Sequence, residues 1–142
     1  MKTQNNNTWI FFLGLWIVAL ISTLGSLFFS EVMKYPPCVL CWYQRICMYP
    51  LVMIFFVGLF PLDKNIIRFS LPLVISGWAI ALYHNLLYYK ILPESAAPCQ
   101  QGISCTTTFI KWWGFMTIPL LSLIAFSILL VSLLLSFRKK IL

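Results

Sequence analysis

Four apolar stretches, at about residues 9–29, 41–60, 67–89 and 115–137, decide most of what this chain can become. Each is long enough to cross a hydrocarbon layer of about 30 Å as a helix, which takes roughly 20 residues. A water-soluble fold cannot absorb them. The 142 residues are 61% hydrophobic and only 9% charged, and a large share of any small domain faces its solvent. The bilayer is therefore the solvent for most of the chain. The expected fold class is an all-α integral membrane protein, a bundle of four transmembrane helices forming a single domain over residues 1–142. Pro36, Pro37, Pro61, Pro93 and Pro98 fall at or beyond the span ends, where a missing N–H does least harm. Pro50, Pro72 and Pro119 fall within or near spans, where neighbouring helices satisfy freed carbonyls. The opening MKTQNNNT carries one lysine before the apolar run from Trp9 to Phe29. That run is too long for a signal-peptide core and no A-x-A-like site follows it, so it reads as a retained first helix.

Orientation follows from the basic residues. Lys2, Lys64, Arg68, Arg138, Lys139 and Lys140 gather on one side against Asp63. Lys34, Lys90 and Lys111 lie on the other against Glu31 and Glu94, with Arg45 just inside the membrane. Positive charge stays in the cytoplasm, which gives an N-in/C-in multi-pass topology with two outer loops. Trp42, Tyr43, Tyr88, Tyr89, Trp112 and Trp113 then form an aromatic belt at the outer interface. The net charge of +7 is scattered rather than clustered, so orientation explains it and nucleic-acid binding does not. Glu31, Asp63 and Glu94 are all expected in loops, which counts against a transporter or channel, whose pathway needs polar groups at mid-membrane.

The cysteines are the chemistry-bearing feature. Cys38 and Cys41 follow the first outer loop, Cys99 and Cys105 lie in the second, and Cys47 sits deeper as a packed apolar thiol. Disulfides persist on that side of a membrane. The plain alternative is a non-enzymatic membrane assembly protein whose structural disulfides brace its loops. Rings this small stabilise little, however, and a C-x-x-C pair commonly holds one thiol at a depressed pKa. A metal site is a weaker rival, because the spacing of the second pair is long for zinc, and no metal is expected. Arg45 stands one helical turn after Cys41, so the two share a face. A buried cation there is a functional signal, although an arginine snorkelling to headgroups is the bland reading. His84, on the third span at a similar depth, is either a helix–helix hydrogen bonder or a donor to a bound ring.

The stretch CVLCWYQR, with Cys38, Cys41 and Arg45 in a C-x-x-C-x-x-x-R pattern opening the second of four spans, resembles the disulfide bond formation protein B family (DsbB, called BdbC in some Gram-positive bacteria). The likeness extends to the four spans, the two cysteine pairs and the topology, and so to essentially the whole chain. It implies a thiol:quinone oxidoreductase of the bacterial cell membrane that reoxidises an extracytoplasmic thioredoxin-fold thiol oxidase (DsbA/BdbD-like). By the same resemblance Cys99 and Cys105 meet that partner, Cys99 forming the mixed disulfide. Cys38 and Cys41 face the quinone, with Cys41 as the thiolate touching the ring. Arg45 binds the quinone and steadies negative charge on it, and His84 assists. Two departures stand out. Gln44 replaces an acidic residue of some relatives, and only five residues separate Cys99 from Cys105. The short loop resembles the Gram-positive type and favours menaquinone over ubiquinone. A vitamin K epoxide reductase-like quinone reductase shares the redox logic, but that family's C-x-x-C lies near its last helix.

Overall fold

The computed structural model describes residues 6–60, 65–99, 104–106, 114 and 117–139. Lys2, Pro61, Asp63, Lys64, Lys111, Trp112, Trp113 and Lys140, on which parts of the orientation argument rest, lie outside the described residues. Four long helices carry the fold: α1 (Asn6–Leu27), α2 (Val39–Leu59), α3 (Asn65–Tyr88) and α4 (Ile118–Lys139). All four are long and apolar enough to span a membrane, and no strand occurs among the described residues.

The helix ends follow from local chemistry. Pro36 and Pro37 keep the chain extended, so α2 starts only at Val39, with Cys38 (φ −74°, ψ 171°) in the N-cap position. The apolar run alone suggested residue 115 as the start of the last helix. The observed start is Ile118, which puts Pro119 in the first turn, where its absent N–H is not needed. Pro50 and Pro72 sit inside α2 and α3 without ending them. α1 runs on into a π-helical turn, Phe28–Val32, so Glu31 occupies the end of that helix rather than a loop. At the end of α3 the Lys90 N–H reaches Leu87 O (3.1 Å) and the Ile91 N–H reaches Leu86 O (3.0 Å). This is the Schellman closure, made with Lys90 at φ 56° where glycine is usual.

Consecutive helices are neighbours, and α4 closes back on α1 along a sparser seam. Lipid is as apolar as leucine, so shape rather than water exclusion holds helices together in a membrane. Phe12, Leu51, Phe55, Val74, Phe126, Leu129 and Leu133 fill one part of the interior. Gly77 of α3 lies so close to the Phe126 ring that a Cβ there would collide with it. Trp78 Nε1–H donates to Ser127 Oγ (3.0 Å) across the same seam. A second, smaller cluster gathers Cys38, Leu40, Leu87, Cys99 and Cys105 beneath the connection between α3 and α4. Of the described residues read as an interfacial belt, Trp42, Tyr43 and Tyr89 each leave about half their surface uncovered, and Tyr88 is half-buried.

Candidate active site

The connection after α3 folds back because Leu92 and Ala97 pack against the cysteine cluster and Tyr83 Oη–H donates to Ala96 O (2.6 Å). A short 3-10 turn, Glu94–Ala96, completes the reversal. Cys99 thereby arrives over the start of α2. Cys99 and Cys105 form a disulfide with Cα atoms 5.8 Å apart. Cys38 and Cys41 are free thiols whose sulfurs stand 3.2 Å apart. The decisive distance is between the pairs: the sulfurs of Cys38, Cys99 and Cys105 all lie within 4.8 Å of one another. Cys38 Sγ, Cys41 Sγ and a ring nitrogen of His84 satisfy the same limit, so Cys38 belongs to both groups. All three sulfurs other than Cys41 are buried. The Cys38 thiol is held well below the ordinary thiol range, chiefly by its hydrogen bond with Cys41 and secondarily by His84, against the opposing cost of burial.

Arg45 is buried to 8% exposure and reaches across to α1. Its Nε–H donates to Ser26 Oγ (2.8 Å), its Nη2–H donates to Ser26 O (2.7 Å), and its guanidinium lies 5.4 Å from the Trp42 ring centre. Arg45 and Cys41 do line one cavity, as their shared helix face predicts, but the guanidinium's hydrogen bonds go to Ser26. Every one of these partners is neutral. Among the described residues no carboxylate offsets the charge, so the cavity wall carries a positive potential in a low-dielectric place.

His84 is 2% exposed. Its Nδ1 stands 3.3 Å from Gln44 Nε2, and its Nε2 stands 3.2 Å from Cys105 O and 3.8 Å from Cys38 Sγ. Both ring nitrogens thus have protein partners. Asn85, the next residue, donates through Nδ2 to Ala81 O and to Pro119 O, each at 2.8 Å, and so ties α3 to the first turn of α4.

Cys38, Cys41, Arg45, His84 and Cys105 all border a cavity of about 330 Å³, a volume in the range of small-molecule sites. Its remaining walls are largely apolar and come from α1 and α4, with Met48 and Tyr49 of α2 and Tyr35, Pro36 and Pro37 of the connection before it. Thr23 Oγ1, on the α1 wall, is buried with no hydrogen-bond partner. A planar, apolar molecule bearing polar oxygens fits this lining: a hydroxyl without a partner, a buried cation and a thiol face one space. Cys47 lies elsewhere, packed in the apolar core with Phe12 and Leu51.

The sequence reading reached the four paired cysteines, Arg45 and His84, and the structure brings all six together. It passed over Ser26, although Ser22, Ser26 and Ser30 recur every fourth residue at the end of α1, which is a polar stripe on one helical face. Gln44 was noted only for lacking a charge, and Asn85 left no signal beyond a polar residue inside an apolar span.

The family model described as disulfide bond formation protein DsbB matches residues 7–136. A probable disulfide formation protein C of Halalkalibacterium halodurans is 45% identical over 128 residues, covering 90% of this chain and 93% of the relative. The disulfide bond formation protein C of Bacillus subtilis is 44% identical over 125 residues, covering 88% and 91%. A probable disulfide formation protein of Metapseudomonas resinovorans is 41% identical over 133 residues, covering 93% and 92%. No solved structure matches.

Proposed function

The chain belongs to the disulfide bond formation protein DsbB family, membrane oxidoreductases of disulfide bond formation, and on that premise we propose that it moves electrons from a thioredoxin-fold thiol oxidase outside the membrane to a membrane quinone. One observation carries the reading: Cys38 Sγ lies within 4.8 Å of both Cys41 and the Cys99–Cys105 sulfurs. Two isolated braces have no reason to meet in this way.

The chemistry is then a sequence of thiol–disulfide exchanges. A thiolate of the reduced partner attacks the Cys99–Cys105 disulfide, with Cys99 taking the mixed bond and Cys105 leaving as a thiol. The partner's second thiol resolves that bond, so the partner is oxidised and Cys99 and Cys105 are reduced by two electrons. A thiolate of this pair next attacks Cys38 within an oxidised Cys38–Cys41 pair, and Cys41 leaves. The remaining thiol of the outer pair closes Cys99–Cys105 again and releases Cys38. Two electrons and two protons have moved inward, and the described state, with Cys99–Cys105 closed and Cys38 and Cys41 reduced, is the state this exchange produces.

A quinone bound in the cavity supplies a sink for those two electrons and two protons. Cys41 and Arg45 on α2 are the residues that would hold its polar ring, with Thr23 opposite and His84 in the wall. Arg45 supplies positive charge where negative charge develops, and Ser26 holds the guanidinium in place. The apolar walls exclude water and suit a lipid-soluble ring. By resemblance to the short-loop Gram-positive type, the proposed acceptor is menaquinone rather than ubiquinone. The reading is tested with purified protein in lipid nanodiscs, a reduced thioredoxin-fold protein and a soluble quinone analogue. Oxidation of the thiol protein in step with quinone loss, one for one, is the expected result. Thiol oxidation without quinone consumption would overturn the assignment of the acceptor.

A further inference from the structure

His84 stands where the two cysteine pairs meet, and its hydrogen bonds fix its proton. The Cys105 carbonyl can only accept, so the 3.2 Å contact requires a proton on Nε2. The Gln44 side-chain amide nitrogen, which can only donate, stands 3.3 Å from Nδ1, and that contact requires a lone pair on Nδ1. The same Nε2–H faces Cys38 Sγ at 3.8 Å, within reach for a sulfur acceptor. One ring proton therefore spans the gap between the backbone of one cysteine pair and the central sulfur of the other. Gln44 and His84 are both buried, so no bulk water competes for these bonds.

We propose that His84 is the hydrogen-bond donor that steadies the Cys38 thiolate as that sulfur is released during exchange between the two pairs, and that Gln44 is the positioning residue that keeps the proton on Nε2. The proposal rests on the relay described above and gives His84 a duty toward sulfur that is separate from any contact with an acceptor ring. Cys38 is the sulfur attacked in one half of the exchange and expelled in the other, so its thiolate is the charge that needs a donor. The proton economy is closed: the outer dithiol loses two protons, and Cys38 and Cys41 each gain one. His84 donates a hydrogen bond throughout and need not give up its proton. Gln44 is suited to this task because its amide offers an N–H. A carboxylate in its place would instead pull a proton onto Nδ1 and charge the ring.

Among the described residues, the titratable or charged groups lining the cavity or packed against the cysteine cluster are Cys41, Arg45 and Tyr49 from α2, His84 and Tyr83 from α3, and Tyr35 from the connection between α1 and α2. Cys99 and Cys105 do not titrate while bonded. The α1 and α4 walls of the cavity contribute hydroxyl and apolar side chains only. A change at Gln44 therefore reaches Cys38 through His84.

The chain has one histidine, which makes the test direct. Protein labelled with nitrogen-15 histidine, in nanodiscs with Cys99–Cys105 oxidised, should show a protonated Nε2 and an unprotonated Nδ1. A proton on Nδ1 alone would overturn the proposal, and this readout needs no mutant, partner or quinone. The companion measurement is the pH dependence of iodoacetamide alkylation at Cys38, resolved by peptide mass spectrometry. Thiolate is the reactive form, so the midpoint of the rise marks the thiol's ionisation. Gln44→Met should move that midpoint up by about one pH unit, or tenfold in thiolate fraction below it. Gln44→Glu should move it down, because an imidazolium is the stronger donor. Two shifts in the same direction, or none, would mean that Gln44 only fills space. These outcomes are independent of the acceptor: opposite shifts with no quinone reduction would overturn the quinone reading alone.

Discussion

In the part of the bundle built around Phe12, Phe55 and Leu133, the buried serine hydroxyls bond within their own helix, Ser70 Oγ–H to Ile67 O (3.2 Å) and Ser136 Oγ–H to Ser132 O (3.0 Å), and the half-buried Trp78 indole supplies a bond across to Ser127. Around the cysteines the buried polar side chains bond from helix to helix. Arg45 of α2 holds Ser26 of α1, Gln44 of α2 holds His84 of α3, and Asn85 of α3 holds the Pro119 carbonyl of α4. The first part is positioned by shape, which tolerates small shifts but not lost volume or clash. The second is positioned by directional bonds, which fix a few atoms and define the chemistry. Function and stability should therefore separate between the two parts when residues are changed.

The largest expected effect belongs to the cysteines. Cys38→Ala or Cys105→Ala should reduce thiol-oxidase turnover to the background rate while thermal unfolding, followed by circular dichroism, changes little. A Cys38→Ala protein with substantial turnover would remove Cys38 from the path between the pairs. Arg45→Met comes next. On the proposed reading it removes one charge-assisted hydrogen bond to the acceptor ring, worth about 1.5–3 kcal/mol, so affinity for a soluble quinone analogue should fall roughly 10- to 100-fold. Arg45→Lys should fall between, since lysine keeps the charge but cannot reproduce the fork that grips both Ser26 oxygens. Wild-type affinity in Arg45→Met would make this arginine a structural tie between α1 and α2 and nothing more.

Gly77→Ala probes the other part. Its new Cβ collides with the Phe126 ring, and overpacking of this kind costs about 1–3 kcal/mol. The melting temperature should fall while quinone affinity and the Cys38 alkylation profile hold. An affinity loss matching that of Arg45→Met would show that the two parts are mechanically coupled. The smallest effect is expected at Lys90, whose left-handed backbone (φ 56°) strains any residue with a Cβ. Lys90→Gly should raise stability by up to about 1 kcal/mol without touching turnover.

The spans were legible because lipid leaves so few solutions: twenty apolar residues in a row can hardly be anything but a helix across the bilayer. Their ends were less so. Pro119 looked like an interruption near a span and is instead the second residue of α4, a distinction set by which N–H groups the first turn leaves idle. The site was legible at the level of residue types, since C-x-x-C followed by Arg45 is chemically unusual at membrane depth. Its wiring was not. The reading of Arg45 against Cys41 used spacing along one helix, but the guanidinium is long enough to cross to α1, and Ser26 offers both a hydroxyl and a carbonyl. His84 reads from the sequence as either a helix–helix hydrogen bonder or a donor to a bound ring, because helix periodicity cannot reveal that Gln44 and Cys105 meet its two nitrogens from different elements. Nor could spacing show that the second cysteine pair folds down onto the first.

That last contact is the centre of the account, and disulfide mapping tests it most directly. In protein carrying Cys41→Ser and Cys99→Ser together, Cys38 and Cys105 are left as the partners whose sulfurs lie within 4.8 Å. Mild oxidation in nanodiscs, followed by digestion and mass spectrometry, should give a Cys38–Cys105 cross-link within single chains in nearly all of the protein. Recovery of both cysteines as free thiols, or linked only between chains, would contradict direct transfer between the pairs.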